Sequence, residues 1–478
     1  MKSGILGPTK MLPTDDQLDQ ISHAELVALV KALIAKVERL EEENRQLKVE
    51  IERLKQPPTT SRNSSQPPSR DQKSDQSANR PKKKHGPPFG HKRAVRELSD
   101  NPDRTISVPV EQCEQCGYDL KSVAAEKIVR RQVTELPEFN PVVIETRQPE
   151  IVCPHCQRLN RGQLPEGLEA DRYFGPRLEA TVVFLKHQQH LSYERIVQTL
   201  RELFGLELSE GGIAAILARA GQRAAVPAAE IKQQVIESPV IKSDETSARV
   251  SGRNFWHWVF IGASAVYHQI VPRRSAAVIA ELMGEAKAEV WVSDCFSAQL
   301  KAPASAFQLC LQHQLRDLQR VLDRDPDSLW AAEMQKLFRE AIHLNNRFAC
   351  LAPQLTLTGF LRRVSELENE LDELLKRRLG SPAERKLQNR YLWHREKLLQ
   401  FLSYPGVPPT NNQSEQALRT AVIHRKVTNG FRSEWGAKAY ANLLSVIATS
   451  KIKGQRVFET LVNLMGRPVL QFLNASPP

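Results

Sequence analysis

The chain has 478 residues, 41% hydrophobic and 26% charged, with a formal net charge of +12 and seven cysteines. That length admits about two to four domains with cores of their own. "MKSGILGPTK" has no apolar signal segment, and the longest uncharged stretch, "NFWHWVFIGASAVYHQIVP", alternates like strands; with four cysteines in two CxxC pairs, this excludes a secreted disulfide scaffold and a membrane span and predicts a cytoplasmic protein.

In chain order, the first predicted element is a zipper over 1–56. Leu26, Leu33, Leu40, Leu47 and Leu54 recur every seven residues, with Val30, Val37, Asn44 and Ile51 offset by four. Leucine at one seam position and β-branched residues at the other favour a parallel dimer, and Asn44 would set its register. A single amphipathic helix lying on the body is the plainer alternative. Residues 57–96 are rich in Pro, Ser and Gln and carry ten Lys/Arg against two Asp, so they read as a basic, disordered linker. Lys82, Lys83 and Lys84 in it could hold DNA phosphates loosely.

Residues 97–166 contain "CEQCGYDL" and "IVCPHC". The two-residue gap lets both sulfurs of a knuckle face one ion, so Cys113, Cys116, Cys153 and Cys156 are candidates for one structural Zn²⁺. Between the knuckles "KIVRRQVTELP" and "PVVIETRQ" look like two strands of a zinc ribbon; buried or redox cysteines are the alternative. Residues 167–232 turn helical. "LSYERIVQTLRELFGLELSEGGIAAILARAGQ" predicts a helix, a break at Gly205, and a second helix capped by Ser209, which is a helix-turn-helix or an ordinary helical hairpin.

Three short strands follow in 233–300, "PVIKSDETSARV", "NFWHWVFIGAS" and "AVYHQIVP". A helix, "SAAVIAELMGEA", and a buried strand, "AEVWVSD", come next, so the segment is the first part of an α/β core. Residues 301–400 read as a charged helical insertion, with a capping box at Ser381 to Glu384. The core resumes in 401–478, which carry nine Lys/Arg against three Glu. Two separate basic regions fit a polyanion, most simply nucleic acid.

Three acids occupy comparable places. Asp244 ends "PVIKSD", Asp294 ends "EVWVSD", and Glu415 begins a helix after "PPTNN". Strand ends and helix starts converge at one edge of a parallel sheet, where three carboxylates could hold two Mg²⁺ ions. Each has a plain alternative. Asp244 could sit in a turn with Glu245 acting, Asp294 could be a cap, and "NQSE" fits a capping box from Asn412 to Glu415.

The segments "IKSDETSARV", "VWVSDCFSAQ" and "PPTNNQSEQALRTAVIHRKVTNGFRSEWGAKAYANLLSVIATSKIKG" resemble the catalytic segments of the insertion sequence 66 family of bacterial transposases. The order of coiled coil, Ser/Pro-rich linker and four-cysteine domain is similar too. The resemblance implies an RNase H-like core interrupted by a helical insertion, with Asp244, Asp294 and Glu415 as its Asp-Asp-Glu triad. It implies cleavage at transposon ends and strand transfer into target DNA with Mg²⁺ or Mn²⁺, in a homodimer or higher oligomer, nucleoid-associated when bound, with accessory proteins of the element as further candidate partners. "FQLCLQHQLRDL" resembles the family's Cys-x-x-His and Arg segment, with Gln in place of the more usual residues around the His; we read Cys310 and His313 as packing groups and as groups that support the ligands, not as metal ligands themselves. Arg419, Arg425, Lys426 and Arg432 are the candidate phosphate contacts beyond Glu415, although Arg419 could simply pair with Glu415. The rival functions are a non-catalytic DNA-binding regulator and a structure-specific nuclease.

Overall fold

The structure is a computed structural model that describes residues 22–54, 97–138, 141–164, 168, 172–351 and 356–466. Lys82, Lys83, Lys84 and the linker around them lie outside the described residues, as do the side chains of Leu26 and Leu54. The chain divides into two compact units. One holds the N-terminal helix and residues 224–455, the other holds the described residues from 97 to 223 with 456–466.

In the first unit, α1 (His23–Leu54) is a single 32-residue helix. Leu33, Val37, Leu40 and Leu47 lie exposed along it. Helix α5 (Ala225–Ile236), numbered after the helices of the other unit, leads into the sheet, against which it packs at β5. Strands β3 (Val240–Val250), β4 (Arg253–Ile261) and β5 (Val266–Val271) form an antiparallel meander. Helix α6 (Ala276–Met283) then crosses to β6 (Ala288–Ser293), which pairs parallel to β3. The spatial order of these four strands is β5-β4-β3-β6.

Period-two burial explains these strands. In β4, Trp258 and Phe260 face one side with Trp291 of β6, and Phe260 meets both rings at about 6 Å. Val259 and Ile261 face the other side and pack with Leu418.

The strand β7 (Ala304–Leu309) departs from the sequence reading, which had 301–400 almost wholly helical. It runs parallel to β6 and extends the sheet by one strand. Helices α7 (Leu311–Arg324), α8 (Leu329–Leu351), α9 (Leu357–Lys376) and α10 (Pro382–Trp393) follow. They are not a detached block, because Leu318, Trp330, Phe338, Leu371 and Tyr391 share one core with Val290, Val292 and Leu309. The capping box expected at α10 does not close: Ser381 makes no side-chain cap bond, and Glu384 instead accepts from the Ser328 hydroxyl. Helices α11 (Asn412–Thr428) and α12 (Glu434–Ile452) return to the sheet, α11 against β3 and β4 and α12 against β5.

In the second unit, the knuckles are two similar turns. The Cys113 N–H donates to Tyr118 O and the Cys153 N–H to Arg158 O, both at 2.9 Å. The short hairpin β1 (Glu150–Val152) and β2 (Leu159–Arg161) brackets the second. The two strands expected between the knuckles do not form among the described residues. Val129, Val133 and Val143 there are exposed, Val133 by 90%, so no apolar face is buried to hold a sheet. Helix α2 (Pro176–His187) precedes the helical pair α3 (Tyr193–Phe204) and α4 (Glu210–Arg223). Gly205 ends α3 at φ 62°. Ser209 accepts the Gly212 N–H at 3.1 Å and caps α4. Beneath them Glu179 is fully buried and accepts from Arg172 and Arg219. The closing helix α13 (Val457–Met465) packs on α2.

Candidate functional site

The register of β3 against β6 pairs Lys242 with Val292, and two residues further on it sets Asp244 beside Asp294. Asp294 directly follows the last residue of β6, whereas Asp244 lies inside β3 and not at its end as the sequence reading expected: the parallel pairing stops at Lys242, and β3 runs on to Val250 against β4. The chain after β7 arrives at the same edge, with the Cys310 N–H donating to Ser293 O at 2.8 Å. The loop before α11 reaches it as well, with Leu311 N–H donating to Pro409 O at 2.9 Å. Four segments distant in sequence thus meet at one edge.

Asp244 feels this crowding. Burial raises its carboxyl well above the ordinary value, and the charges of Glu245, Asp294 and Glu415 push the same way. Its Oδ1 accepts only the N–H of Glu245, at 2.9 Å, among the hydrogen bonds of described residues. Asp294 accepts the Phe296 N–H at 3.0 Å, a local turn bond of the kind the cap reading expected. The pleat sends Glu245 to the opposite face, where its side chain is 1% exposed. Arg274 Nε donates to it at 3.0 Å and Gln299 at 2.5 Å. The Arg274 guanidinium is itself stacked over Trp256 and Phe296. Glu245 is thus tied into the body of the fold, and Asp244 is the member of the pair that faces α11.

Glu415 sits in the first turns of α11, but not as the closing residue of a capping box. The residue ahead of the helix is Asn411 rather than Asn412, and it makes no side-chain cap bond. Asn411 is 1% exposed and reaches across instead. Its Nδ2 donates to Ser243 O at 2.7 Å and its Oδ1 accepts the Ser414 hydroxyl at 2.7 Å. Asn411 does not cap a backbone N–H because its side-chain oxygen is taken by the Ser414 hydroxyl while its NH2 is tied to the β3 carbonyl. Glu415 leans toward α7, with Oε1 3.7 Å from His313 Nε2 and Oε2 3.5 Å from Arg316. Its ion pairs are therefore with α7, not with Arg419 one turn on. Arg419, Lys426 and Arg432 are exposed, while the Arg425 guanidinium donates to the carbonyl and hydroxyl of Ser247.

Among the described residues, one set of three metal-ligating side chains meets within 4.8 Å: Cys310, His313 and Glu415. Asp244, Asp294 and Glu415 interact but do not close that tightly, and neither do Cys113, Cys116, Cys153 and Cys156. In each knuckle the first thiol is lowered from its ordinary value by backbone N–H groups, those of Cys116 and Gln115 for Cys113 and of Cys156 and His155 for Cys153. Sequence reasoning did not assign Asn411 or Arg316 to the site. The signal for Arg316 was present, since it follows His313 by one helical turn.

A mixed α/β chain with one aspartate inside a central strand, another just past the end of the neighbouring parallel strand and a glutamate at a facing helix start belongs to the class of folds that build sites at a sheet edge. Residues 171–439 match the transposase IS66 family, and this chain belongs to that family. Residues 10–93 match a family of unknown function, DUF6444. The uncharacterized protein y4hP of Sinorhizobium fredii (strain NBRC 101917 / NGR234) is similar, 25% identical over 405 residues that cover 76% of this chain and 72% of that protein. No helix among the described residues is long and apolar enough to cross a membrane.

Proposed function

We propose that the chain is an Asp-Asp-Glu transposase that binds the ends of an insertion sequence, cuts DNA there and joins the freed 3′ hydroxyl to target DNA. The observation that carries this reading is the partly buried Asp244 carboxyl, in the field of Asp294 and Glu415, in a chain of a transposase family. The sheet order, a three-stranded meander followed by two parallel strands, supports an RNase H-like core.

The residues suit divalent metal. A carboxyl whose charged form is disfavoured by burial and like charges is what a cation would relieve, and among the described residues Glu415 Oε1 is buried without a hydrogen-bond partner. Oxygen-only donors favour Mg²⁺ or Mn²⁺. Asp244 would touch both of two ions, and Asp294 and Glu415 one each. Such a pair, when bound, supplies an activated oxygen nucleophile and stabilises the leaving oxygen in an in-line displacement. The chain's own part is to hold the three carboxylates and to let the Asp244 proton leave. Arg419, Lys426 and Arg432 would hold flanking phosphates, as would Lys82, Lys83 and Lys84, while Arg425 fastens α11 to β3. Cys113, Cys116, Cys153 and Cys156 would hold one structural Zn²⁺, the backbone N–H groups at each knuckle favouring thiolate. The stripe through Leu33, Leu40 and Leu47 would pair two chains, and the α3–α4 hairpin would contact the element's ends.

Strand transfer with labelled element ends and Mg²⁺ tests the reading. Asp244→Asn, Asp294→Asn and Glu415→Gln should each bind ends normally and fall to background in joining. Joining at the wild-type rate by these variants would make the regulator the better description, and cleavage without joining by the wild type would favour the nuclease.

A further inference from the structure

We propose that Cys310, His313 and Glu415 form a Zn²⁺ site of their own, overlapping the Mg²⁺ site at Glu415. One ligand atom from each lies within 4.8 Å of the others. The donors are sulfur, imidazole nitrogen and carboxylate oxygen, a set that selects zinc over magnesium. A tetrahedral ion with bonds of about 2.0–2.3 Å needs its donors roughly 3.3–3.8 Å apart, a side-chain adjustment away from the observed spacing.

The surroundings are arranged for a cation there. Glu415 Oε1 faces His313 Nε2 at 3.7 Å, beyond hydrogen-bond reach, and has no other partner. Its second oxygen is turned to Arg316, which orients the carboxylate as outer groups do around bound metals. His313 Nδ1 is also buried without a partner. The Cys310 sulfur accepts the Asn411 N–H at 3.1 Å and stands at the N-terminal end of the 14-residue α7, two features that favour thiolate. Burial raises this thiol, so its proton leaves as the ion enters. One thiolate and one carboxylate neutralise Zn²⁺, and the fourth coordination position stays open.

The site stands on these three side chains alone; only its overlap with Mg²⁺ rests on the Asp-Asp-Glu reading. Zn²⁺ seated there would occupy Glu415 and slow strand transfer. The test loads full-length protein with Zn²⁺, removes excess by desalting and counts zinc per chain by elemental analysis. Wild type should carry one Zn²⁺ more than His313→Ala, whatever the four-cysteine domain holds, because that contribution cancels in the difference. Asp244→Asn should keep the additional ion while losing strand transfer, so the two readings fail separately. His313 is only partly buried, which makes its truncation compatible with folding, and unchanged thermal unfolding checks that. Cys310→Ser should lose the same ion. Equal zinc in wild type and His313→Ala overturns the proposal.

Discussion

Replacing Asn411 by Ala should loosen the candidate site in a measurable way. The side chain joins β3, one residue ahead of Asp244, to α11, four residues ahead of Glu415. Truncation leaves the fully buried Ser414 hydroxyl without its acceptor and the Ser243 carbonyl without this donor. Each of the two orphaned groups costs about 1–3 kcal/mol, so the loss should be about 2–6 kcal/mol. Urea unfolding followed through the buried tryptophans Trp258 and Trp291 should show a lower midpoint with an unchanged slope. Because misplacement by about 1 Å can cost about 100-fold in rate, strand transfer should fall by a comparable factor and need more Mg²⁺. Asn411→Asp keeps the acceptor for Ser414 but sets a carboxylate oxygen against the Ser243 carbonyl, and should be worse. An Asn411→Ala protein with unchanged midpoint and unchanged Mg²⁺ dependence would refute the claim that this residue places Glu415.

The folded chain holds the Asp244 proton more tightly than the unfolded chain, so metal-free stability should fall as pH rises from about 4 through the raised folded value. Asp244→Asn should then stabilise the metal-free protein at pH 8 by about 0.5–2 kcal/mol, a few degrees in Tm, while abolishing strand transfer; a lower Tm would contradict this. His257 and His268 are buried 3.0 Å apart and held neutral, burial pushing His257 down to about 3. Their stabilising effect is complete above about pH 6.5 and lost on acidification, by up to about 1.4 kcal/mol per pH unit for each, and His257→Leu should flatten the slope of Tm between pH 7 and 5. Leu33→Glu with Leu40→Glu should convert the oligomer to monomer in light scattering, with no change in the thermal transition of the sheet.

The strands bearing Asp244 and Asp294 were legible because a half-buried sheet writes its period directly into the sequence. "PVIKSDETSARV" and "AEVWVSD" were read as strands, and Asp294 does follow the end of β6, but Asp244 lies inside β3, which continues to Val250. The edge strand β7 was not legible, and one miss produced another. "ASAFQL" is short, lies before a long charged helical stretch, and becomes a strand only because β6 offers it a parallel edge. Without β7, nothing in the sequence says where the following helix starts in space. Cys310, His313 and Arg316 then look like one face of an ordinary amphipathic helix, and two of them read as packing. With β7 in register, Cys310 is fastened to the residue before Asp294, and the next turn of α7 is aimed at Glu415. The misplaced cap at α11 has the same origin. "NQSE" satisfies the local rule, but the helix starts one residue earlier, after Asn411, whose side chain is held by Ser414 and by a strand 168 residues away. Local patterns specify a group by the bonds it can make nearby; at the sheet edge each polar group has partners on several segments, and the fold decides among them.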